Sequence, residues 1–309
     1  MPDDPHGHIP VLLEPTLEVL AARPGETVVD ATAGRGGHAA ALLERIGPGG
    51  RLLLVDRDAG NLEYARGRIK GRAEGLGVEV RSCHGSFSRL REAVAGVGLD
   101  RVDVLLADLG FASNQMDDAE RGLAFSNDGP LDMRLDRSSG STAEELLATA
   151  SEQEIADILF HEGEERLSRR IARKIVETRR ERPIKSTAAL AELVRSVYGS
   201  AAGRSRMHPA TRTFMALRIA VNQELPALDA LLSQVPDVMR DGGRAAIISF
   251  HSLEDRRVKQ AFSGWAKEDR AKLLTRKPVE ASLAEATSNP RSRSAKLRGL
   301  TWLGGATRM

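Results

Sequence analysis

Cysteine is nearly missing from this sequence of 309 residues, since Cys83 is the only one. A single thiol excludes an intramolecular disulfide and a metal centre built from several cysteines, and we expect no bound metal. Aromatic residues amount to only 4%, so aliphatic side chains must supply most of the core. Lysine is also rare, with eight residues, and arginine therefore provides most of the 45 basic side chains.

Long apolar runs are absent as well. No run approaches the ~20 residues that span a bilayer, and the first ten residues, MPDDPHGHIP, lack the apolar region of a secretion signal. We therefore expect a cytoplasmic protein without membrane contact. The net charge of +2 is too small to indicate a nucleic-acid-binding protein by itself, although arginine suits bidentate contact with phosphate.

The most informative segment is TVVDATAGRGG at residues 27–37. A short apolar run ends there at Asp30, and a glycine-rich turn and a helix-prone stretch follow. A second apolar run, RLLLV at residues 51–55, ends at Asp56. This order of strand, glycine turn, helix, strand and acid is typical of a nucleotide-binding βαβ unit, in which the acid accepts the ribose hydroxyls.

Two classes of ligand use this layout. The spacing Gly34-x-Gly36-x-x-Ala39 fits the loose dinucleotide pattern, which would suit a nicotinamide-dependent dehydrogenase. Asp30 argues against a dinucleotide ligand, because a carboxylate just before the turn repels a diphosphate. It suits S-adenosylmethionine, which carries an ammonium and a sulfonium but no phosphate. A purely structural role for Asp30, capping the turn through its side chain, is the alternative.

Further predicted strands, at residues 78–81, 102–107 and 244–249, complete an α/β pattern. Ligands of open α/β sheets lie at the carboxyl ends of the strands, which places Phe87 and Asp108 near Asp56. Phe87 fits two roles equally well from the sequence alone: it can pack against an adenine or belong to the core.

Residues 141–197 have helical periodicity throughout and interrupt the α/β pattern, with capping boxes predicted at Ser141 and Ser151. We predict a discontinuous domain at residues 1–112 and 208–309, and an inserted all-helical domain at 113–207 that recognises RNA or another substrate. Like charges one turn apart cost helix stability unless an anion such as a phosphate backbone offsets them. A solvated face with glutamate counter-charges is the alternative for this basic cluster, whose candidate RNA contacts are Arg169, Arg170, Arg173 and Lys174.

Longer strings of the sequence resemble one family. They include DATAGRGGH at 30–38, DGPLDMRLD at 128–136, HPATRTFMALRIAVNQEL at 208–225, GGRAAIISFHSLEDRRVK at 242–259 and NPRSRSAKLR at 289–298. These strings are similar to those of the bacterial 16S ribosomal RNA (cytosine-N4) methyltransferases, the MraW/RsmH-type family. Such strings run in family order from residue 8 to residue 298.

The resemblance implies an α/β, class I (Rossmann-like) methyltransferase with a mostly parallel seven-stranded sheet and an inserted all-helical domain. It implies methyl transfer from S-adenosylmethionine to the exocyclic N4 of a specific cytidine in 16S rRNA, at the decoding-region P site. The partner would be 16S rRNA or the small ribosomal subunit, with a homodimer left open. The implied donor contacts are Gly36, Gly37, His38, Asp56, Phe87, Asp108 and Gln115.

The exocyclic N4 is a weak nucleophile, because its lone pair is conjugated with the ring, so acceptors that pull on its protons are needed. Our candidates for this role are Asp108, Asp132, Ser249 and His251, and Arg291 and Arg293 are further candidate RNA contacts. Arg35 is unusual for the family in the glycine turn, and we expect it to point outward. A non-catalytic RNA-binding or assembly module is the competing function, and the intact donor motifs argue against it.

Overall fold

The structure is a computed structural model, which describes residues 9–204 and 208–304. The chain divides into two compact units. The first, here called the sheet unit, comprises Met1–Ala112 and Leu225–Met309, and the second, the helical unit, comprises Ser113–Glu224.

One mixed sheet organises the sheet unit. Its strands are β1 (Thr27–Asp30), β2 (Arg51–Asp56), β3 (Glu79–His84), β4 (Val102–Asp108), β5 (Met239–Ser249), β6 (Ala271–Leu273), β7 (Val279–Glu280) and β8 (Lys296–Trp302). The strand order is β3-β2-β1-β4-β5-β8-β6, and the two-residue β7 pairs with β8. Strands β1 to β5 are parallel, whereas β8 is antiparallel to its three partners. The predicted α/β class with a mostly parallel sheet is confirmed, although β7 raises the strand number from seven to eight.

Helices occupy both units. They are α1 (Leu13–Leu20), α2 (Gly37–Ile46), α3 (Ala59–Leu76), α4 (Leu90–Gly96), α5 (Ser113–Asp117), α6 (Ala143–Thr149), α7 (Glu152–His161), α8 (Ser168–Glu181), α9 (Thr187–Tyr198), α10 (Thr211–Asn222), α11 (Glu224–Val238), α12 (Ser252–Lys267) and α13 (Leu283–Ser288). Across the described ranges, no helix has both the length and the apolar character that a bilayer crossing requires.

Side-chain alternation along the central strands separates two apolar cores. Val28, Leu54 and Leu106 face one core, which contains residues of α1, α2 and α3. Their neighbours Val29 and Leu105 face the other core, which contains residues of α4, α11 and α12. The sheet is therefore covered on both sides, as parallel sheets require, and its strand order reverses between β1 and β4. Such a reversal opens a crevice at the carboxyl ends of the strands.

The helical unit has its own apolar core, which includes Ile155 and Ile171. Capping boxes start α6 at Thr142 and α7 at Ser151. The first lies one residue after the predicted Ser141, because Thr142 and Glu145 have the reciprocal spacing as well. The second box is confirmed at the predicted residue.

Helix α10 belongs to the helical unit, whereas the sequence placed residues 208–224 in the discontinuous domain. Phe214 and Leu217 of α10 lie in the core of the helical unit. Asn222, at the end of α10, donates from Nδ2 to the carbonyl of Met133 over 2.7 Å. The periodicity of α10 shows that it has an apolar face but not which core receives that face, and this explains the difference.

Candidate functional site

Three strands of the sheet unit end in an aspartate at the same edge. Asp30 closes β1, Asp56 closes β2 and Asp108 closes β4. The parallel register pairs Asp30 with Leu54 and with Leu106, two residues before the ends of the flanking strands. The three carboxylates therefore gather where the strand order reverses, which is the position of ligand sites in this architecture.

Asp56 joins the glycine turn to the second strand. Its Oδ2 accepts a hydrogen bond from the backbone N–H of Gly34 at 2.7 Å, and its Oδ1 accepts one from the N–H of Asp58 at 2.8 Å. Burial raises the pKa of Asp56 to about 6, although these two hydrogen bonds act in the opposite direction. An ionised carboxylate has about four acceptor positions, so Asp56 retains capacity for hydroxyl donors.

Asp30 and Asp108 are linked through one threonine. The backbone N–H of Thr32 donates to Asp30 Oδ1 at 3.2 Å, and Thr32 Oγ1 accepts the backbone N–H of Asp108 at 2.6 Å. The hydrogen bond from Thr32 to Asp30 Oδ1 matches the turn-capping role considered for Asp30. That hydrogen bond engages one of the two carboxylate oxygens. Asp108 Oδ1 also accepts the N–H of Gly110 at 3.1 Å.

Electrostatics at this edge favour a cationic ligand. Burial, together with the charges of Asp108 and Asp56, raises the pKa of Asp30 to about 7. Burial also raises the pKa of Asp108 to about 7, with the Glu254 carboxylate acting in the same direction. In the described ranges, no lysine or arginine forms an ion pair with any of the three aspartates. A ligand with positive charge and hydroxyl groups would satisfy these carboxylates.

His38, in the first turn of α2, lies beside Asp108. Its Nδ1 is 3.8 Å from Asp108 Oδ2, and its Nε2 is 3.0 Å from the carbonyl oxygen of Val11. Because a carbonyl only accepts, Nε2 carries the hydrogen and Nδ1 has a free lone pair. Burial lowers the pKa of His38 to about 4, so the imidazole is neutral at physiological pH.

The glycines of the turn serve packing and backbone conformation. Gly36 has a φ of +74°, which favours glycine. A Cβ on Gly37 would stand 2.4 Å from Cγ of Pro10, so the segment before α1 packs directly on the turn. The sequence did not identify Pro10 or Val11 as neighbours of the turn, and only the family string beginning at residue 8 drew attention to this segment.

Arg35 does not point outward, so that prediction is wrong. Its side chain is 8% exposed, and the guanidinium lies over the Tyr64 ring of α3 at 3.6 Å from the ring centroid. Arg68 of the same helix donates to the Arg35 carbonyl at 3.1 Å. The aromatic face supplies a cation–π contact in place of water, and no local pattern in the sequence indicated that α3 would present a ring there.

Phe87 begins a short 3₁₀ turn after β3 and is half-buried. It packs against the core cluster shared by α4, α11 and α12. Part of the ring remains exposed, so adenine contact stays a prediction. Gln115, the other implied donor contact outside the aspartate cluster, is a buried residue of α5 in the helical unit.

The other three catalytic candidates have structural partners. Burial acts to raise the pKa of Asp132, but hydrogen bonds from Arg134 outweigh it and hold the pKa below the ordinary value. Arg134 Nε lies 2.7 Å from Asp132 Oδ1. Ser249 Oγ donates to the Lys296 carbonyl at 3.3 Å. His251 caps α12, and its Nε2 lies 3.2 Å from Glu254 Oε1.

The predicted basic face lies on α8 and is exposed. Arg170 donates from Nη2 to the Val197 carbonyl at 3.1 Å, and Arg173 Nε lies 3.6 Å from Glu152 Oε1. Neither Arg169 nor Lys174 has an ion pair within the described part of the chain. Of the candidates near the carboxyl terminus, Arg293 donates from Nε to the Ala286 carbonyl at 3.0 Å, and Arg291 is half-buried.

A cavity of about 360 Å³ opens between the end of α7 and the start of α8. Phe160, which is 57% exposed, lines it together with Arg166, Arg169 and Arg170. No prediction from the sequence included this arrangement. One feature of the sequence could have indicated it. Phe160 is an aromatic residue next to the apolar face of α7, which is formed by Ile155, Ile158 and Leu159.

Comparison with known proteins decides the family. The family model described as the MraW methylase family matches residues 5–302. The chain belongs to this family. It is 46% identical over 308 residues to the ribosomal RNA small subunit methyltransferase H of Syntrophobacter fumaroxidans, with 95% of each chain covered. It is 45% identical over 311 residues to the protein of the same name from Symbiobacterium thermophilum, with 96% of each chain covered.

Membership of the MraW methylase family confirms the resemblance seen in the sequence strings. The sheet unit has the class I (Rossmann-like) methyltransferase fold, with the strand reversal between β1 and β4 at its candidate site. The family match extends across nearly the whole described chain, including the helical unit. The helical unit is therefore part of what this chain shares with its family.

Proposed function

We propose that this protein transfers a methyl group from S-adenosylmethionine to the exocyclic N4 of a specific cytidine in 16S rRNA of the small ribosomal subunit, at the decoding-region P site. The observation that carries the donor assignment is the gathering of Asp30, Asp56 and Asp108 at the strand reversal, with no lysine or arginine paired to them among the described residues. The name of the relatives supports the small-subunit rRNA substrate. The resemblance of the sequence strings supports the cytosine N4 acceptor.

The chemistry of the site residues fits the donor. When bound, S-adenosylmethionine supplies a methyl group on a cationic sulfur. Asp56 would hold the ribose hydroxyls with the acceptor positions that Gly34 and Asp58 leave open. Gly36, Gly37 and His38 would face the methionine part, with Phe87 and Gln115 as further donor contacts. The same acidic edge opposes a dinucleotide, whose diphosphate it would repel.

Asp108 is our first candidate for the acceptor side. Its ionised carboxylate can accept a hydrogen bond from the N4 amino group, which localises the nitrogen lone pair. The methyl carbon then bonds to N4 while its bond to sulfur breaks, and the surplus proton on nitrogen leaves to water. With a pKa of about 7, Asp108 is partly protonated at neutral pH, and a neighbouring cation favours its ionised form. Asp132, Ser249 and His251 remain candidates for the same task.

The helical unit would hold the RNA. Exposed cations on one helix suit a phosphate backbone, and the proposed contacts are Arg169, Arg170, Arg173 and Lys174. The cavity beside α8 adds an exposed aromatic ring, Phe160, on which an unpaired base can stack. We retain Arg291 and Arg293 as further RNA contacts, and a homodimer stays a prediction.

Methylated-nucleoside analysis tests the proposal. We expect 16S rRNA from a strain lacking this protein to lose an N4-methylcytidine, and purified protein with S-adenosylmethionine to restore it on small subunits from that strain. Free 16S rRNA, assayed in parallel, distinguishes the two possible substrate states. An unchanged nucleoside profile in the deletion strain would contradict the proposal.

A further inference from the structure

Residues 9–12, which precede α1, form a segment that we call the N-terminal strap. Pro10 of the strap packs against Gly37, where a Cβ would come within 2.4 Å of the proline ring. Val11 and Leu12 are buried, and Leu12 has a φ of +52°, a conformation that costs energy for a residue with a side chain. An unfavourable backbone conformation persists only where surrounding contacts impose it.

Those contacts come from the opposite end of the chain. The backbone N–H of Leu12 donates to Glu285 Oε1 at 2.6 Å, and Asn289 donates from Nδ2 to the carbonyl of Ile9 at 3.1 Å. Glu285 lies on α13, and Asn289 follows that helix immediately. Asn289 is itself 8% exposed, and its carbonyl accepts the buried hydroxyl of Ser292 at 2.8 Å. Glu285 and Asn289 thus hold the strap at Leu12 and at Ile9, and we call this pair of residues the bracket.

The strap in turn determines the state of His38. The Val11 carbonyl lies between the two bracketing hydrogen bonds and accepts from His38 Nε2 at 3.0 Å. This contact selects the tautomer with hydrogen on Nε2 and leaves Nδ1 unprotonated, 3.8 Å from Asp108 Oδ2. Within the described ranges, the charged groups near His38 are Asp108 from β4 and Glu285 from α13. A series of contacts therefore leads from Glu285 and Asn289 through the strap and His38 to Asp108.

We propose that Glu285 and Asn289 are positioning residues, which hold the N-terminal strap and thereby fix the tautomer and orientation of His38 beside Asp108. We do not assign either residue as a catalytic residue, since the side-chain hydrogen bonds described above join Glu285 and Asn289 to the strap backbone. The effect on His38 rests on the hydrogen bonds described above. The consequence for donor binding rests on the proposed function.

Nitrogen-15 NMR of the histidine rings tests the effect on His38 directly, because protonated and unprotonated ring nitrogens have widely separated shifts. His38→Gln identifies the His38 signals among the seven histidines. In the full-length wild-type protein we expect a single tautomer, hydrogenated at Nε2. In Glu285→Ala and in Asn289→Ala we expect shifts toward an average of two tautomers.

Two matched variants separate this role from general destabilisation. Glu285→Gln keeps a side-chain carbonyl acceptor for the Leu12 N–H without the charge, and we expect it to retain the wild-type tautomer. Thr287→Ala changes an exposed residue of α13 whose hydroxyl donates to the Leu283 carbonyl, and we expect no change. Wild-type His38 signals in folded Glu285→Ala and Asn289→Ala would overturn the proposal, as would equal shifts in Thr287→Ala.

Donor binding provides the functional measurement. We expect Glu285→Ala to weaken S-adenosylmethionine binding by about two- to ten-fold, the usual range for one hydrogen bond, and to raise KM for the donor more than it lowers kcat. Glu285→Gln should restore both values. If wild-type protein bound no S-adenosylmethionine, the proposed function would fail, and the NMR comparison would still decide the role of the bracket.

Discussion

The two units use charge in opposite ways. In the sheet unit, Asp30, Asp56 and Asp108 meet at a buried edge, where desolvation raises the pKa of each carboxyl group. In the helical unit, cations of α8 are exposed to solvent, among them Arg169, Arg170, Arg173 and Lys174. Burial makes the acidic edge sensitive to pH, whereas exposure leaves the basic face open to screening by salt. The net charge of +2 does not reveal this division, because it sums all charged residues regardless of their position.

Among substitutions that test the difference between the two units, we expect the largest effect from Asp108→Asn. We expect Asp108→Asn to lower turnover on small subunits by about 100-fold or more, because an amide keeps the shape but not the charge that polarises N4. Donor affinity, measured by calorimetry on the same preparation, should fall much less. A parallel loss of affinity would assign Asp108 to the donor. Normal values in both assays would remove Asp108 from the site.

Asp56 should show the next largest effect. Asp56→Ala removes the carboxylate that we propose accepts a charge-assisted pair of hydrogen bonds from the ribose hydroxyls. We therefore expect donor affinity to fall by about 2–3 kcal/mol, or roughly 30- to 150-fold, in a folded protein. Glu79→Ala, which removes an exposed carboxylate from the start of β3, serves as the control and should bind the donor normally. Wild-type affinity in folded Asp56→Ala would contradict the ribose assignment.

The basic face should respond to salt rather than to pH. We expect Arg169→Glu combined with Arg173→Glu to weaken binding of the small subunit and to flatten the dependence of log K on log salt by about one to two units. Donor affinity should not change. Arg45→Glu combined with Arg66→Glu makes the same charge change on α2 and α3, where both residues are exposed. An unchanged salt slope in the α8 variant would indicate a solvated face without RNA contact.

The smallest expected effect is on pH-dependent stability. The pKa of Asp30 is raised from 3.8 to about 7 in the folded protein, so the folded state holds this proton more tightly than the unfolded chain. That contribution to stability is present below pH 3.8 and is lost as the pH rises through about 7. Asp30→Asn cannot ionise and retains the acceptor for Thr32.

Thermal unfolding at pH 5 and pH 8 measures this contribution. We expect the fall in Tm between these two pH values to be smaller in Asp30→Asn than in the wild type by about 2–4 °C. Saturating S-adenosylmethionine should reduce the wild-type fall as well, because a bound cation favours the ionised carboxylates. Identical pH dependence in the two proteins would show that Asp30 titrates normally.

Local sequence determined most of the sheet unit. Apolar runs that each end in an acid predicted β1 and β2, and the glycine turn predicted the start of α2, because strand periodicity and glycine dihedrals are local properties. The capping box at Ser151 was local as well. These features also placed Asp56 and Asp108 at one edge, since parallel strands end together. The family strings added His38 and Gln115, which no local rule would have selected.

Only the tertiary structure decided where distant segments meet. The apolar face of α10 gave no sign that it belongs to the core of the helical unit, and the glycine turn gave no sign that Tyr64 would receive Arg35. The bracket of Glu285 and Asn289 on residues 9–12 spans 273 and 280 positions of the chain. Contacts at such separations depend on the packing of whole elements and on burial, and burial is also what moves the three aspartates from ordinary acids to groups that titrate near neutral pH.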